Sequence, residues 1–164
     1  MNNTMNNWSC LPAAFSIALG VDVCSFIEAI GHDGSQILWP GLKEPSCRRG
    51  FHIQECIDVA YRAGYCVTPF EVLPRHAPAF TVPPVTIQYG GSETTAFERF
   101  NQLIEAGVGV ITGHSNTTEH AVAYRYGIVV DPKGFRYVYS PKACEQHGFI
   151  GYCAWQFDKR GNCE

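Results

Sequence analysis

The chain has 164 residues, 46% of them hydrophobic and 16% charged, with a formal net charge of −3. That length and apolar content suit one domain spanning residues 1–164, with a core that needs no staples, and they exclude a disordered chain. The slight acidity, with Arg48-Arg49 too short to form a basic patch, excludes nucleic acid as an expected partner, and no apolar run reaches the ~20 residues of a bilayer span.

The first ten residues, MNNTMNNWSC, lack the basic start and long apolar stretch of an export signal. The expected location is therefore cytoplasmic, with the eight cysteines held as thiols rather than as a disulfide framework. Leu11 to Leu19 and Val23 to Ile30 pattern as helices stopped by Gly20 and Gly31. Phe51 to Ala63 places Ile53, Ile57, Ala60 and Tyr61 at helical spacing before Gly64. Tyr65 to Val72 reads as a strand, and the proline-rich 74–84 as an extended connector. Ser92 is placed to cap a helix over 93–106 with Phe97, Phe100, Leu103 and Ile104 on one face. After Gly107 the segments VGVITGH, EHAVAYRY, IVVDP, FRYVYS and GFIGYCAWQF are β-rich. Helices followed by strands predict an α+β fold with N-terminal helices packed on a C-terminal antiparallel sheet.

Chemistry concentrates at two places. Pro12 is tolerated only in a first helical turn, so it puts Cys10 at a helix start, behind Ser9 as a candidate cap. Unpaired N–H groups and the helix dipole favour a thiolate there. If Tyr126-Gly127 is the turn of a hairpin, His120 faces Lys133 and Val122 faces Asp131. His120 and Asp131 then lie diagonally on one face, close enough for their side chains to bond. A thiol, an imidazole and an orienting carboxylate form the constellation of a thiol hydrolase.

The blocks W-S-C-L-P-A-A-F, E-H-A-V-A-Y and V-V-D-P-K-G resemble the papain-like cysteine peptidase superfamily, and most nearly its bacteriocin-leader-processing peptidases. The resemblance implies a papain-like fold in which Cys10 is the nucleophile, His120 the general base and acid, and Asp131 the orienting residue. It also implies hydrolysis of a peptide or isopeptide bond in a peptide or protein substrate, without a cofactor. The chain departs from the pattern at Leu11 and Glu119, where that pattern has Gly, and at Thr4, where it has an oxyanion-hole Gln. Asn6 or Asn3 is the candidate replacement donor, beside the Cys10 N–H. Transglutaminase-like acyl transfer is one alternative, and a papain-fold binding or inhibitory protein without catalysis is another.

Weaker signals compete with ordinary packing. Cys47, His52 and Cys56, with Cys66 as a fourth, match no strong zinc spacing, so no metal is expected. Cys24, Cys56 and Cys66 read as small core residues. His114 reads as a loop residue at the cleft, and Trp8 and Trp155 as core or cleft-wall aromatics. The oligomeric state is not legible.

Overall fold

The computed structural model describes residues 8–35, 50–71, 86–89, 92–115 and 118–161. Three helices come first, α1 (Cys10–Leu19), α2 (Val23–Ile30) and α3 (Ile53–Arg62). Then follow β1 (Tyr65–Glu71), β2 (Thr86–Tyr89), β3 (Ser92–Thr95) and helix α4 (Ala96–Ala106). The last part holds β4 (Val108–Ser115), β5 (Thr118–Arg125), β6 (Ile128–Val130), β7 (Arg136–Val138), helix α5 (Pro141–Gln146) and β8 (Phe149–Lys159).

Six strands form an antiparallel sheet in the order β1-β8-β4-β5-β6-β7, while β2 and β3 pair as a separate hairpin. The fold is α+β with N-terminal helices on an antiparallel sheet, as the element order predicts. Pro69 has no N–H to donate, and it sits in β1, which pairs only with β8 among the described residues.

Strand alternation divides the core into two halves. Val110, Ala121, Ala123 and Phe157 point to the side where α1, α2 and α3 pack through Ala14, Phe15, Ala18, Phe26, Cys56 and Val59. Their strand neighbours Ile111, Val122, Tyr124 and Ala154 point the other way, to Phe100 and Ile104 of α4 and Cys144 of α5. With both faces covered, the central strands read as continuous apolar runs. Phe15 is the hub of the first half, with ring centroids 6.0 Å from Phe26 and 5.0 Å from Phe157.

Several local expectations change. The helix over 93–106 starts later, at Ala96, because Ser92–Thr95 pairs with Thr86–Tyr89. The β-branched Thr94-Thr95 favours an extended chain, and the cap expected of Ser92 does not form there. His114 lies in β4 rather than in a loop. Cys56 is buried, but Cys24 and Cys66 are exposed. Cys24 falls off the α2 face that buries Phe26 and Ile27, and Cys66 alternates outward from half-buried Val67 on the edge strand. Tyr61 is 54% exposed, because the buried face of α3 is centred on Cys56, Val59 and Ala60. The 74–84 connector lies outside the described residues.

The short helix α5 was not expected. Ser140 accepts the Ala143 N–H at 3.0 Å, and Pro141 follows at the first turn. Ser-Pro followed by a downstream Gly is a start-and-stop signature readable in the sequence.

Phe15→Ala should cost about 3–5 kcal/mol of stability, since the cavity opens between helix and sheet where neither can collapse freely. Urea denaturation followed by circular dichroism checks this, through a lower midpoint with an unchanged slope.

Candidate active site

Pro12 lies in the first turn of α1 and Cys10 is the first helical residue, half-buried. Ser9 occupies the cap position and is fully buried, but its side chain makes no capping hydrogen bond. That corrects the expected Ser9 cap, since the residue's φ of −95° and ψ of 17° depart from the extended geometry a side-chain cap requires.

α1 runs alongside β5 in the same direction. At its C-terminal end the Ala18 carbonyl accepts a hydrogen bond from Arg125 Nη2 at 3.0 Å. At its N-terminal end the Cys10 side chain lies within hydrogen-bonding reach of His120. The span from Cys10 to Ala18 is ~12 Å and that from His120 to Arg125 ~17 Å, so seating one end determines where the other falls.

The β5–β6 hairpin turns on Tyr126 and Gly127, with φ of 47° and 79°. Two positive values define the two-residue turn whose twist suits a hairpin. It pairs Arg125 with Ile128, Tyr124 with Val129 and Ala123 with Val130, which is the register expected from the sequence. Asp131 follows directly after β6, diagonally across from His120.

The carboxylate is held on both oxygens. Asp131 Oδ1 accepts the Lys133 N–H at 2.7 Å, and Oδ2 lies 2.9 Å from His120 Nε2. The backbone closes the same turn, with Gly134 N–H donating to the Asp131 carbonyl and Asp131 N–H to the Phe135 carbonyl, each at 2.8 Å. D-P-K-G is therefore an Asx-turn whose middle is pre-set by Pro132. Both partners are 6% exposed.

Electrostatics follow from this geometry. Burial pushes the His120 pKa down, but hydrogen bonds with Asp131 and Cys10, together with their charges, outweigh it and raise the value to about 9. Burial pushes the Asp131 carboxyl up, and the bonds from His120 and the Lys133 amide overcome that to hold it below 3.8. At neutral pH the ring is an imidazolium with both nitrogens donating. Nε2 serves Asp131, which leaves Nδ1 for Cys10. Phe149, 2% exposed, meets the imidazole edge-on, with centroids 6.0 Å apart and planes at 83°.

The segment leading into Cys10 has its own support, which sequence reasoning missed. Trp8 Nε1–H donates to the Asp33 carbonyl at 3.1 Å. Its ring lies over Gly34, where a Cβ would come within 3.0 Å of Trp8 Cδ1 and 2.6 Å of Phe51 Cε2. Phe51 stacks on His32 at 5.1 Å. The Gly34 N–H donates to His32 Nδ1 at 3.1 Å, so Nε2 carries the proton shared with Glu55 Oε1 at 2.8 Å. The signal lies in contacts between distant residues, and no spacing in the sequence displays it.

Cys10, His120 and Asp131 are thus brought together. Asn6, with Asn3 and Thr4, lies outside the described residues, as does Cys47. His52 caps α3 by accepting the Gln54 N–H at 3.2 Å, and no group of three or more metal-ligating side chains occurs among the described residues. Among those residues, no single helix is long and apolar enough to cross a membrane. No family model matches the chain, and no curated protein does.

Two outcomes follow from the charges. His120 is raised from 6.5 to about 9 in the folded state. Its stabilising contribution is complete below pH 6.5 and fades as pH rises to about 9. The midpoint of thermal unfolding should fall across that window, and the fall should flatten in His120→Gln. Asp131→Asn has one oxygen to serve both His120 and the Lys133 amide, so the imidazole should titrate lower than in the parent protein. A histidine-resolved NMR titration measures that shift, and an unchanged value would contradict the ion pair.

Proposed function

We propose that the protein is a papain-like cysteine peptidase that hydrolyses a peptide or isopeptide bond in a peptide or protein substrate. The observation that carries this reading is a helix-start thiol within reach of an imidazole fixed on its far side by a doubly held carboxylate. An imidazolium beside a sulfur favours the thiolate, which is the nucleophilic form.

In the reaction the Cys10 sulfur attacks the carbonyl carbon, and the carbonyl oxygen takes the negative charge. Backbone N–H groups at the start of α1 are suited to receive that charge. The C–N bond breaks as His120 gives its proton to the leaving amine, and a thioester to Cys10 remains. Water then attacks the thioester while His120 takes its proton. The C–S bond breaks, the carboxylic acid leaves and the thiolate–imidazolium pair is restored. Asp131 touches no reacting atom; it keeps the ring aimed and the imidazolium stable. The chemistry needs no cofactor, and a nucleophile that must stay reduced suits the cytoplasm.

Limiting iodoacetamide at pH 7, followed by peptide mass spectrometry, tests the nucleophile. Cys24 and Cys66 are exposed thiols and serve as internal comparators. Cys10 should be alkylated at least about tenfold faster than either, and His120→Ala should bring it down to their level. Equal rates in the parent protein would sink the enzyme reading. Once a cleaved protein is found, Cys10→Ala should abolish cleavage. Incorporation of an amine into glutamine without cleavage would select acyl transfer, and full function of Cys10→Ala would select a binding protein.

A further inference from the structure

We propose that His32 is a positioning residue for Cys10: paired with Glu55, it holds the Gly34 peptide on which Trp8 is seated, and so sets where the thiol meets His120. The inference rests on the reading of Cys10 as the nucleophile and adds the residues that aim it.

The pair is fixed at its carboxylate end by helix α3. Glu55 stands in the first turn, where its Oε2 accepts the His52 N–H at 2.8 Å and completes a capping box. Its Oε1 lies 2.8 Å from His32 Nε2. One carboxylate thus ties the start of α3 to the loop that leaves α2 after Gly31. The Phe51 ring stacks on the His32 imidazole at 5.1 Å, with the planes 14° apart. A face contact and a hydrogen bond at each ring nitrogen leave the imidazole one orientation.

His32 reaches the thiol by way of Gly34 and Trp8. Gly34 donates its N–H to His32 Nδ1 at 3.1 Å, and its carbonyl accepts the Gly50 N–H at 2.9 Å, so both sides of the residue are held. Trp8 rests on these two glycines. A Cβ on Gly34 would lie 3.0 Å from Trp8 Cδ1, and one on Gly50 would lie 3.4 Å from the Trp8 carbonyl oxygen. The indole Nε1–H is bonded to the Asp33 carbonyl at 3.1 Å. That loop is braced from within, since Asp33 Oδ1 accepts the Ser35 N–H at 2.9 Å and the Ser35 hydroxyl at 2.6 Å. Ser9 alone separates Trp8 from Cys10, a distance of two Cα–Cα steps of about 3.8 Å each. Ser9 is buried, and its carbonyl opens α1 by accepting the Ala13 N–H at 3.0 Å. A shift of Trp8 therefore passes into the first turn and moves the thiol.

Two imidazole–carboxylate pairs thus serve the thiol, with the same use of the carboxylate and opposite uses of the ring. In each, one carboxylate oxygen takes a backbone N–H and the other takes Nε2. At His120 the remaining nitrogen donates towards the sulfur, whereas at His32 it accepts from the backbone. His120 acts on the charge of Cys10 and His32 on its place. Placement matters as much as charge, because a misplacement of about 1 Å can cost a reacting group up to about 100-fold in rate. The His32 and Glu55 side chains are 27% and 32% exposed, so a polar replacement of either opens no cavity in the core.

Two replacements separate the arms of the ring. In His32→Asn the amide oxygen stands near the place of Nδ1 and accepts from Gly34, while the reach to Glu55 is lost. In His32→Gln the amide nitrogen reaches Glu55, while the acceptor for Gly34 is lost. The first readout is the NMR titration of His120, which the Cys10 side chain helps to raise. It reports the place of the thiol whether or not the thiol is a nucleophile. In His32→Gln the His120 value should fall below that of the parent protein, and alkylation of Cys10 by iodoacetamide should slow about tenfold. His32→Asn should restore the parent titration and bring the rate to within about twofold of the parent. Fully buried Cys56 should stay unlabelled in both, as it would in an intact fold. An unchanged His120 value and Cys10 rate in His32→Gln, or an equal fall in both variants, overturns the positioning role. Labelling of Cys56 in His32→Gln would make the pair a staple of the core and overturn it too. Failure of iodoacetamide to select Cys10 in the parent protein removes the nucleophile, while the His120 titration still decides whether His32 places the thiol.

Discussion

The bond between His120 Nε2 and Asp131 Oδ2, 2.9 Å long and almost closed to water, constrains the rest of the site. A buried imidazole left alone would lose its charge, because burial lowers its pKa. Here the sum goes the other way. The partners raise the His120 value from 6.5 to about 9 against the burial that opposes them. Such a balance needs the carboxylate fixed before the imidazole meets it. The Asx-turn does this by occupying Asp131 Oδ1 with the Lys133 amide.

That fixed pair is useful only if Cys10 arrives at the same place, and the core sees to it. β5 carries both duties on adjacent residues. Ala121 and Ala123 are small and let α1 lie close to the sheet, while Val122 and Tyr124 fill the opposite half of the core. Arg125 then holds the C-terminal end of α1 through the Ala18 carbonyl, where a cation also suits the helix dipole. At the other end, Trp8 is tied to Asp33 and packed over Gly34. Cys10 is thereby held from both directions along the chain.

Much of this was legible in the sequence, for a physical reason. Parity along a hairpin is set by its turn, and Tyr126-Gly127 admits a two-residue turn, so the face shared by His120 and Asp131 could be read in advance. Pro12 likewise fixes the start of α1 within a turn. Sheet order was not legible, because alternation tells which side a residue faces and nothing about which strand lies beside it. β8 therefore enters unannounced between β1 and β4. The bulge at Tyr152 was hidden for the same reason, since an extra residue exists only relative to a partner strand. His114, read as a loop residue beside Gly113 and Ser115-Asn116, is instead part of the strand that carries Gly113 to His120.

The position of the site at one end of the sheet follows from the competing demands on its residues. In mid-strand, His120 would be packed on both sides as Val122 is, and Cys10 would have no approach for a substrate. At a strand end the imidazole keeps Phe149 against its edge while Cys10 stays half-buried. The start of α1 lies at the level of His120, and the β8 bulge at Tyr152 falls at the same level two strands away. A longer α1 would carry its first residue past His120 towards the end of β5, and the thiol would no longer meet the imidazole.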